Sequence, residues 1–249
     1  MNPVQRTISF PNRSSAFVVE APAGASGDEL LARLGLPPPR GTVIVNGSTA
    51  DVAPPNRARV TDALVNGVAQ VAVAERLTVV TGGTDAGIFA ILGAALAHSS
   101  EPLVGVVPAH LVTWPGRHRH GDDRTPLEPH HSHFVLVDGQ EWGDETGTLL
   151  ALATALAKVA PCVAVLCGGG AGARDEALGH SRSGRELVVI AGSGRFADEL
   201  AQATRAIAPL DDPVVAEILA DGKVTVCRTG ADGPAIAEIL HVALFGDRH

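Results

Sequence analysis

The sequence has 249 residues, 45% hydrophobic and 18% charged, enough for one large α/β domain or two small ones and too apolar for disorder. Its 19 basic and 27 acidic residues leave a net charge of −8, which argues against the basic face of a nucleic-acid binder. The N-terminus MNPVQRTISF has no apolar signal-peptide core, and apolar runs such as Ala86–Ala97 are shorter than the roughly 20 residues of a bilayer span, so the expectation is a cytoplasmic protein that does not cross a membrane.

Residues 1–40 read as an N-terminal appendage. TISF and AFVVE are spaced to pair as a small hairpin around Pro11–Ser15. Ser26 and Glu29 form a capping-box pattern before a short helix, Asp28–Leu34, and LPPPR then breaks the chain at Pro37–Pro39.

Residues 41–249 show a regular alternation. Short β-branched runs fall at Thr42–Val45, Leu77–Val80, Leu103–Val107, Phe134–Val137, Val163–Leu166, Leu187–Ile190 and Val224–Val226. Most are continuously apolar, as in strands buried on both faces. Helical stripes lie between them, one of Val60, Leu64, Val68 and Val71, another of Leu149, Leu152, Leu156 and Val159. This pattern predicts an α/β, Rossmann-like doubly wound fold: a mostly parallel sheet with helices on both faces and a small N-terminal β appendage. The one long irregular segment, Pro108–Ser132, is rich in Pro, Gly, His and Arg and reads as a functional lid or mobile loop.

Ligands in such sheets bind beyond the carboxyl ends of the strands. Three of those ends carry glycine turns that open helices: Thr81–Gly87, Cys167–Glu176 and Ala191–Glu199. Glycine lets backbone approach a ligand, and a helix start offers free N–H groups. Any one such turn is explained as well by packing; three at one edge point to an anion site. Thr84, Ser193 and Arg195 would add side-chain donors. No G-x-x-x-x-G-K-[ST] pattern occurs, and the first turn lacks the G-x-G-x-x-G spacing of a standard dinucleotide site.

Glu128, His130, His131 and His133 cluster in LEPHHSHF, with His118, His120, Asp122 and Asp123 upstream. An extended backbone would put His131 and His133 on one face, a spacing compatible with a divalent metal. Histidines in such a loop more often hydrogen-bond or face solvent, and no helical or cysteine pair supports a metal, so none is expected. His133 reads instead as a polar residue at the ligand-binding edge. Cys162, Cys167 and Cys227 read as small buried hydrophobes of a reducing compartment. Trp114 and Trp142 lie in loop-like stretches, equally suited to stacking on a ligand and to rim packing.

VVTGGTDAGIFAILGAAL, LEPHHSHFVLVDG, the turn at Gly168–Gly172 and VVIAGSGRFADELA occur in that order between Leu77 and Ala203. Together they resemble the SLOG superfamily, specifically its LSDAT branch, which includes the cytosolic N-terminal domain of TRPM channels. The resemblance implies a nucleotide sensor, with an ADP-ribose-like or NAD-derived molecule as ligand. It implies that Gly82, Gly83, Thr84 and Gly87 form a first phosphate turn. It implies that Gly168, Gly169, Gly170 and Gly172 form a second. Gly192, Ser193, Gly194 and Arg195 form the third glycine turn, and in it Arg195 is implied to contact phosphate. Trp142 falls where channel domains can carry an aromatic beside the nucleotide. An arginine on the following helix of some channel domains has no clear counterpart; Leu149 falls near it. The superfamily also includes LOG proteins, which hydrolyse nucleoside monophosphates and carry G-G-x-G-T-x-x-E. Residues 169–176 read G-G-A-G-A-R-D-E, which keeps the glutamate as Glu176 and replaces the threonine with Ala173. The upstream arginine–lysine motif is missing, so binding ranks above hydrolysis, and Glu176 is the catalytic candidate only if the chain is an enzyme. A small-molecule nucleotide is the expected partner; a homo-oligomer and an effector protein stay open.

Overall fold

The computed structural model describes residues 5–117, 123–207 and 210–246. Eleven strands and nine α-helices follow in chain order among these residues. They are β1 (Gln5–Ser9), β2 (Ser15–Pro22), α1 (Gly27–Leu34), β3 (Thr42–Asn46), α2 (Pro54–Asp62), α3 (Gln70–Glu75), β4 (Thr78–Thr81), α4 (Gly87–Ala95), β5 (Leu103–Pro108), β6 (Val112–Thr113), β7 (Thr125–Pro126), β8 (His133–Asp138), α5 (Thr146–Ala157), β9 (Cys162–Leu166), α6 (Ala171–Arg182), β10 (Leu187–Ile190), α7 (Arg195–Ala203), α8 (Pro213–Asp221), β11 (Val224–Cys227) and α9 (Gly233–Phe245). A π-helical stretch, Ala63–Ala69, joins α2 to α3.

Nine strands form one sheet in the order β1-β2-β8-β5-β4-β3-β9-β10-β11. Only the β1–β2 pair is antiparallel. From β3 the chain steps through β4, β5 and β8 toward one edge. It then returns through α5 to lay β9 against the free side of β3, and β10 and β11 continue outward. The direction of winding reverses between β3 and β9, which makes the gap beyond their carboxyl ends the topological switch point. The expected N-terminal hairpin forms, and β2 joins it to the main sheet by pairing in parallel with β8.

Alternation along the strands feeds two cores. Ile44, Val80, Val104, Val135, Ala164 and Val189 face α1, α5, α6, α7 and α8. Val43, Val45, Val79, Val163, Val165 and Ile190 face α4, α9 and the α2–α3 helix. The stripe Val60, Leu64, Val68 and Val71 is buried as its spacing predicts, π-helical stretch included. Val159 departs from its stripe: α5 ends at Ala157, and Val159 is 55% exposed in the turn that follows. Ser26 is the N-cap of α1, but its side chain makes no capping bond. Asp212 and Asp232 do cap, accepting backbone N–H groups at the starts of α8 and α9.

The segment between β5 and β8 covers a third apolar cluster, in which Val112, Trp114 and Leu127 pack on Phe10, Val18 and Phe134. Trp114 is buried there, with the guanidinium groups of Arg6 and Arg117 4.8 and 4.5 Å from its ring. That is a packing role. His118, His120 and Asp122 lie outside the described residues.

Glycines separate sharply by surroundings. A Cβ on Gly93 would stand 2.1 Å from the buried Glu128 carboxyl, whereas a Cβ on Gly147 would meet nothing within 4 Å. Gly93→Ala should therefore lower stability by about 1–3 kcal/mol despite the better helix propensity of alanine. Gly147→Ala should raise it by about 0.5 kcal/mol. Urea unfolding of both variants checks the pair, and equal shifts would contradict the packing.

Candidate functional site

The first glycine turn is consumed by packing. Gly82 has no room for a Cβ against Phe89, nor has Gly83, at φ +65°, against Gly105. Gly87, at φ +56°, abuts the Ser48 carbonyl. The neighbouring polar groups are also used. Glu128 N–H donates to the Gly83 carbonyl at 3.0 Å, Asp85 N–H donates to the Pro126 carbonyl at 2.8 Å, and Thr84 bridges to Leu127. Thr81, Gly83 and Thr84 are buried beneath this segment.

The histidine cluster works in the same stitching. Nδ1 of His131 lies 2.7 Å from Glu128 Oε2, and its Nε2 lies 2.8 Å from Thr81 Oγ1. The Thr81 oxygen also accepts from Gly83 N–H at 2.9 Å. His130 spends its own N–H and its Nδ1 on the same carboxylate. Despite burial, these imidazoles hold the Glu128 carboxyl below the usual range. No three His, Cys, Asp or Glu side chains gather as a metal-holding group among the described residues. His133 is not beside His131: it heads β8, its Nδ1 bonds Ser132 Oγ, and its ring meets Phe17 edge-on. It therefore stands at the amino end of its strand, not at the carboxyl edge, and burial lowers its pKa. Burial likewise pushes the thiols of Cys162, Cys167 and Cys227 up to about 11, 12 and 11, so they are poor nucleophiles.

The second and third turns lock into each other at the switch point. Ser193 Oγ accepts from Gly168 N–H at 2.8 Å and donates to the Ile190 carbonyl. Ala197 N–H donates to the Gly168 carbonyl, and Phe196 N–H to that of Gly169. The Asp198 carboxylate accepts from Gly192 N–H at 2.6 Å and Gly194 N–H at 3.1 Å. The amides at the start of α7 and two in its turn are thus already committed.

The start of α6 is different. Its N-cap is Gly170, no side chain caps it, and its first N–H groups have no partner within the helix by geometry. Gly172 follows in the first turn, with open space where a Cβ would be. Arg195 lies over this helix start. A Cβ on Gly170 would be 3.0 Å from its Nη2, and its Nη1 donates to Ser48 Oγ at 2.9 Å. Arg195 is exposed and sits at φ 54°, a left-handed conformation that non-glycine residues seldom adopt. One cation therefore spans the loops that follow β3, β9 and β10, directly over a bare helix N-terminus.

A family model described as "SLOG in TRPM, prokaryote" matches residues 40–232. The chain belongs to this SLOG family. The matched region runs from the threshold of β3 past β11 and contains all three glycine turns. Membership carries a nucleotide-related binding domain or a LOG-like fold. The chain matches no curated protein at a significant level.

In this SLOG domain the acidic side of the crevice lies between α5 and α6. Glu176 stands in the second turn of α6, half-buried, and burial raises its pKa to about 8, with Glu145 and Asp175 adding to the rise. Glu145, at the N-cap of α5, is raised mainly by burial too; its carboxyl accepts from Gly143 N–H at 2.8 Å. Trp142, 48% exposed, lies in the same loop three residues before Glu145. Ser48, Asn46 and Glu145 were not singled out by sequence reasoning. Only the strand order reveals that NGS follows the strand at the switch point. No helix among the described residues is long and apolar enough to cross a membrane.

The elevated Glu176 pKa fixes a sign. The unfolded chain loses this proton near pH 4.5 and the folded chain near 8, so stability falls as pH rises across that window. Glu176→Gln should flatten the fall in Tm between pH 5 and 8. An unchanged slope would place the Glu176 carboxyl in water.

Proposed function

We propose that the protein binds a nucleotide of the ADP-ribose-like or NAD-derived class and acts as a sensor-type module. The observation that carries this reading is the uncapped N-terminus of α6 beneath the Arg195 guanidinium at the β3/β9 switch point. Helix dipole, unpaired amides and a fixed cation together favour a phosphate. Gly168–Gly172 and Arg195 would hold the phosphates. Trp142, on the rim, would stack on a base or sugar. Gly82, Gly83, Thr84 and Gly87 would support this cradle from behind through Ser48. His133 would stand away from it.

Arg195→Ala should weaken ADP-ribose binding by about 10- to 100-fold, the range of a charge-assisted contact. Arg117→Ala, which removes a guanidinium stacked on Trp114, should leave it unchanged. Calorimetry decides, and equal dissociation constants for the two variants would refute the phosphate assignment.

Glu176 favours a second reading, LOG-like hydrolysis of an N-glycosidic bond. A carboxyl with its pKa raised to about 8 is protonated at neutral pH and is suited to general-acid work on a departing base. Wild type would then release free base and ribose phosphate from a nucleotide, and Glu176→Gln would slow this by a factor of about 10² or more. Chromatography of nucleoside monophosphates, ADP-ribose and NAD after incubation separates the readings. Tight binding without turnover leaves the sensor reading alone.

A further inference from the structure

The carboxyl end of β3 carries a buried asparagine with a spare donor, whose side chain faces His180 in the last turn of α6. Asn46 is the last residue of β3 and 1% exposed, and its carbonyl accepts from Cys167 N–H. By alternation its side chain lies on the Ile44 side of the sheet, the side of α5 and α6. The orientation of its amide follows from its neighbours. Arg185 Nη1, which can only donate, bonds Nδ1 of the fully buried His180. Burial and the Arg185 charge lower the His180 pKa to about 3, so the ring is neutral and carries its proton on Nε2. That N–H faces Asn46 Oδ1 at 3.4 Å. The asparagine oxygen is thereby used, and its Nδ2 has no partner among the described residues.

An unpartnered buried donor is costly to keep for packing alone. The helices on this side of the sheet carry further polar groups. Glu176 precedes His180 by one helical turn and shares its face of α6. Thr148, one turn after Glu145 on α5, is fully buried with its own hydroxyl unpartnered among the described residues. A group that accepts from an amide and donates to a carboxyl or hydroxyl oxygen fits this set, and an alcohol does both. Two residues beyond Asn46, Ser48 already touches the phosphate-seeking Arg195.

We infer that Asn46 reads the sugar hydroxyls of a nucleotide whose phosphates rest on α6, and that His180 and Arg185 are positioning residues that hold its amide for this task. The inference rests on the nucleotide-binding reading above and adds the sugar-recognising residue to it.

Calorimetry at neutral pH with ADP-ribose and with pyrophosphate, alongside thermal unfolding, tests it. Asn46→Leu should weaken ADP-ribose by about tenfold or more and change pyrophosphate by less than about twofold, with a lower Tm because the buried His180 Nε2–H loses its acceptor. Asn46→Ala removes the same donor without adding bulk or charge, so the same selective loss is expected even if Asn46→Leu fails to fold. His180→Phe should weaken ADP-ribose in the same direction by a smaller factor. Unchanged ADP-ribose affinity in both Asn46 variants, or equal losses for both ligands, overturns the assignment and leaves the phosphate site standing. Wild type that binds pyrophosphate but not ADP-ribose does the same. Wild type that binds neither overturns the nucleotide reading and this inference together.

Discussion

The carbonyl groups of Gly168 and Gly169 decide how this domain distributes its hydrogen bonds. They take the first amides of α7, while Ser193 takes the amide of Gly168 and Asp198 takes those of Gly192 and Gly194. The loops after β9 and β10 become one rigid body as a result. Within it a single helix start, that of α6, is left with unpaired donors and with no described side chain to cap it. The same lock places Arg195 in a left-handed conformation over that start. A ligand site here is less a matter of adding groups than of committing the amides of one helix start and leaving those of the other.

The first glycine turn shows the opposite use of the same residue type. Its glycines exist for Phe89, Gly105 and the Ser48 carbonyl, and its carbonyl and amide groups pair with Pro126–Glu128. The carboxylate of Glu128, wedged against Gly93 and tied to two imidazoles, anchors the covering segment. What looks like a cradle in sequence is a footing in three dimensions. Its contribution to the site is indirect, through the contact of Gly87 with the loop that carries Ser48.

Fold class was legible because seven apolar runs and two helical stripes announce a sheet buried on both faces, and each run became a strand. The glycine turns were legible as turns, since glycine is favoured at the positive φ angles that Gly83, Gly87, Gly168, Gly169, Gly192 and Gly194 adopt. Their unequal roles were not, because a hydrogen bond from Ala197 back to Gly168 leaves no mark in local sequence. Asn46 and Ser48 were invisible for a related reason: nothing in VIVNGST says that this strand borders the reversal of winding, a fact that depends on where β9 returns. His133 misled because a polar residue beside a strand does not say at which end of the sheet that strand begins. Val159, exposed while Leu149, Leu152 and Leu156 of the same stripe are buried, shows the limit of periodicity, which continued past the point where α5 stops.

The inner face of α6 carries two ionisable groups one turn apart, and burial drives them in opposite directions. His180 loses its charge in all but strong acid, and Glu176 gains one only in mild alkali. Across the intervening range this face presents dipoles and no net charge. The attraction of the helix start for an anion is then undiluted by a carboxylate a turn and a half away. Above about pH 8 that protection ends, and the helix would oppose with one residue the ligand it welcomes with its backbone. Anion affinity should therefore fall on the alkaline side above about pH 8. In this domain the burial of one acid is a condition for the usefulness of the helix that bears it.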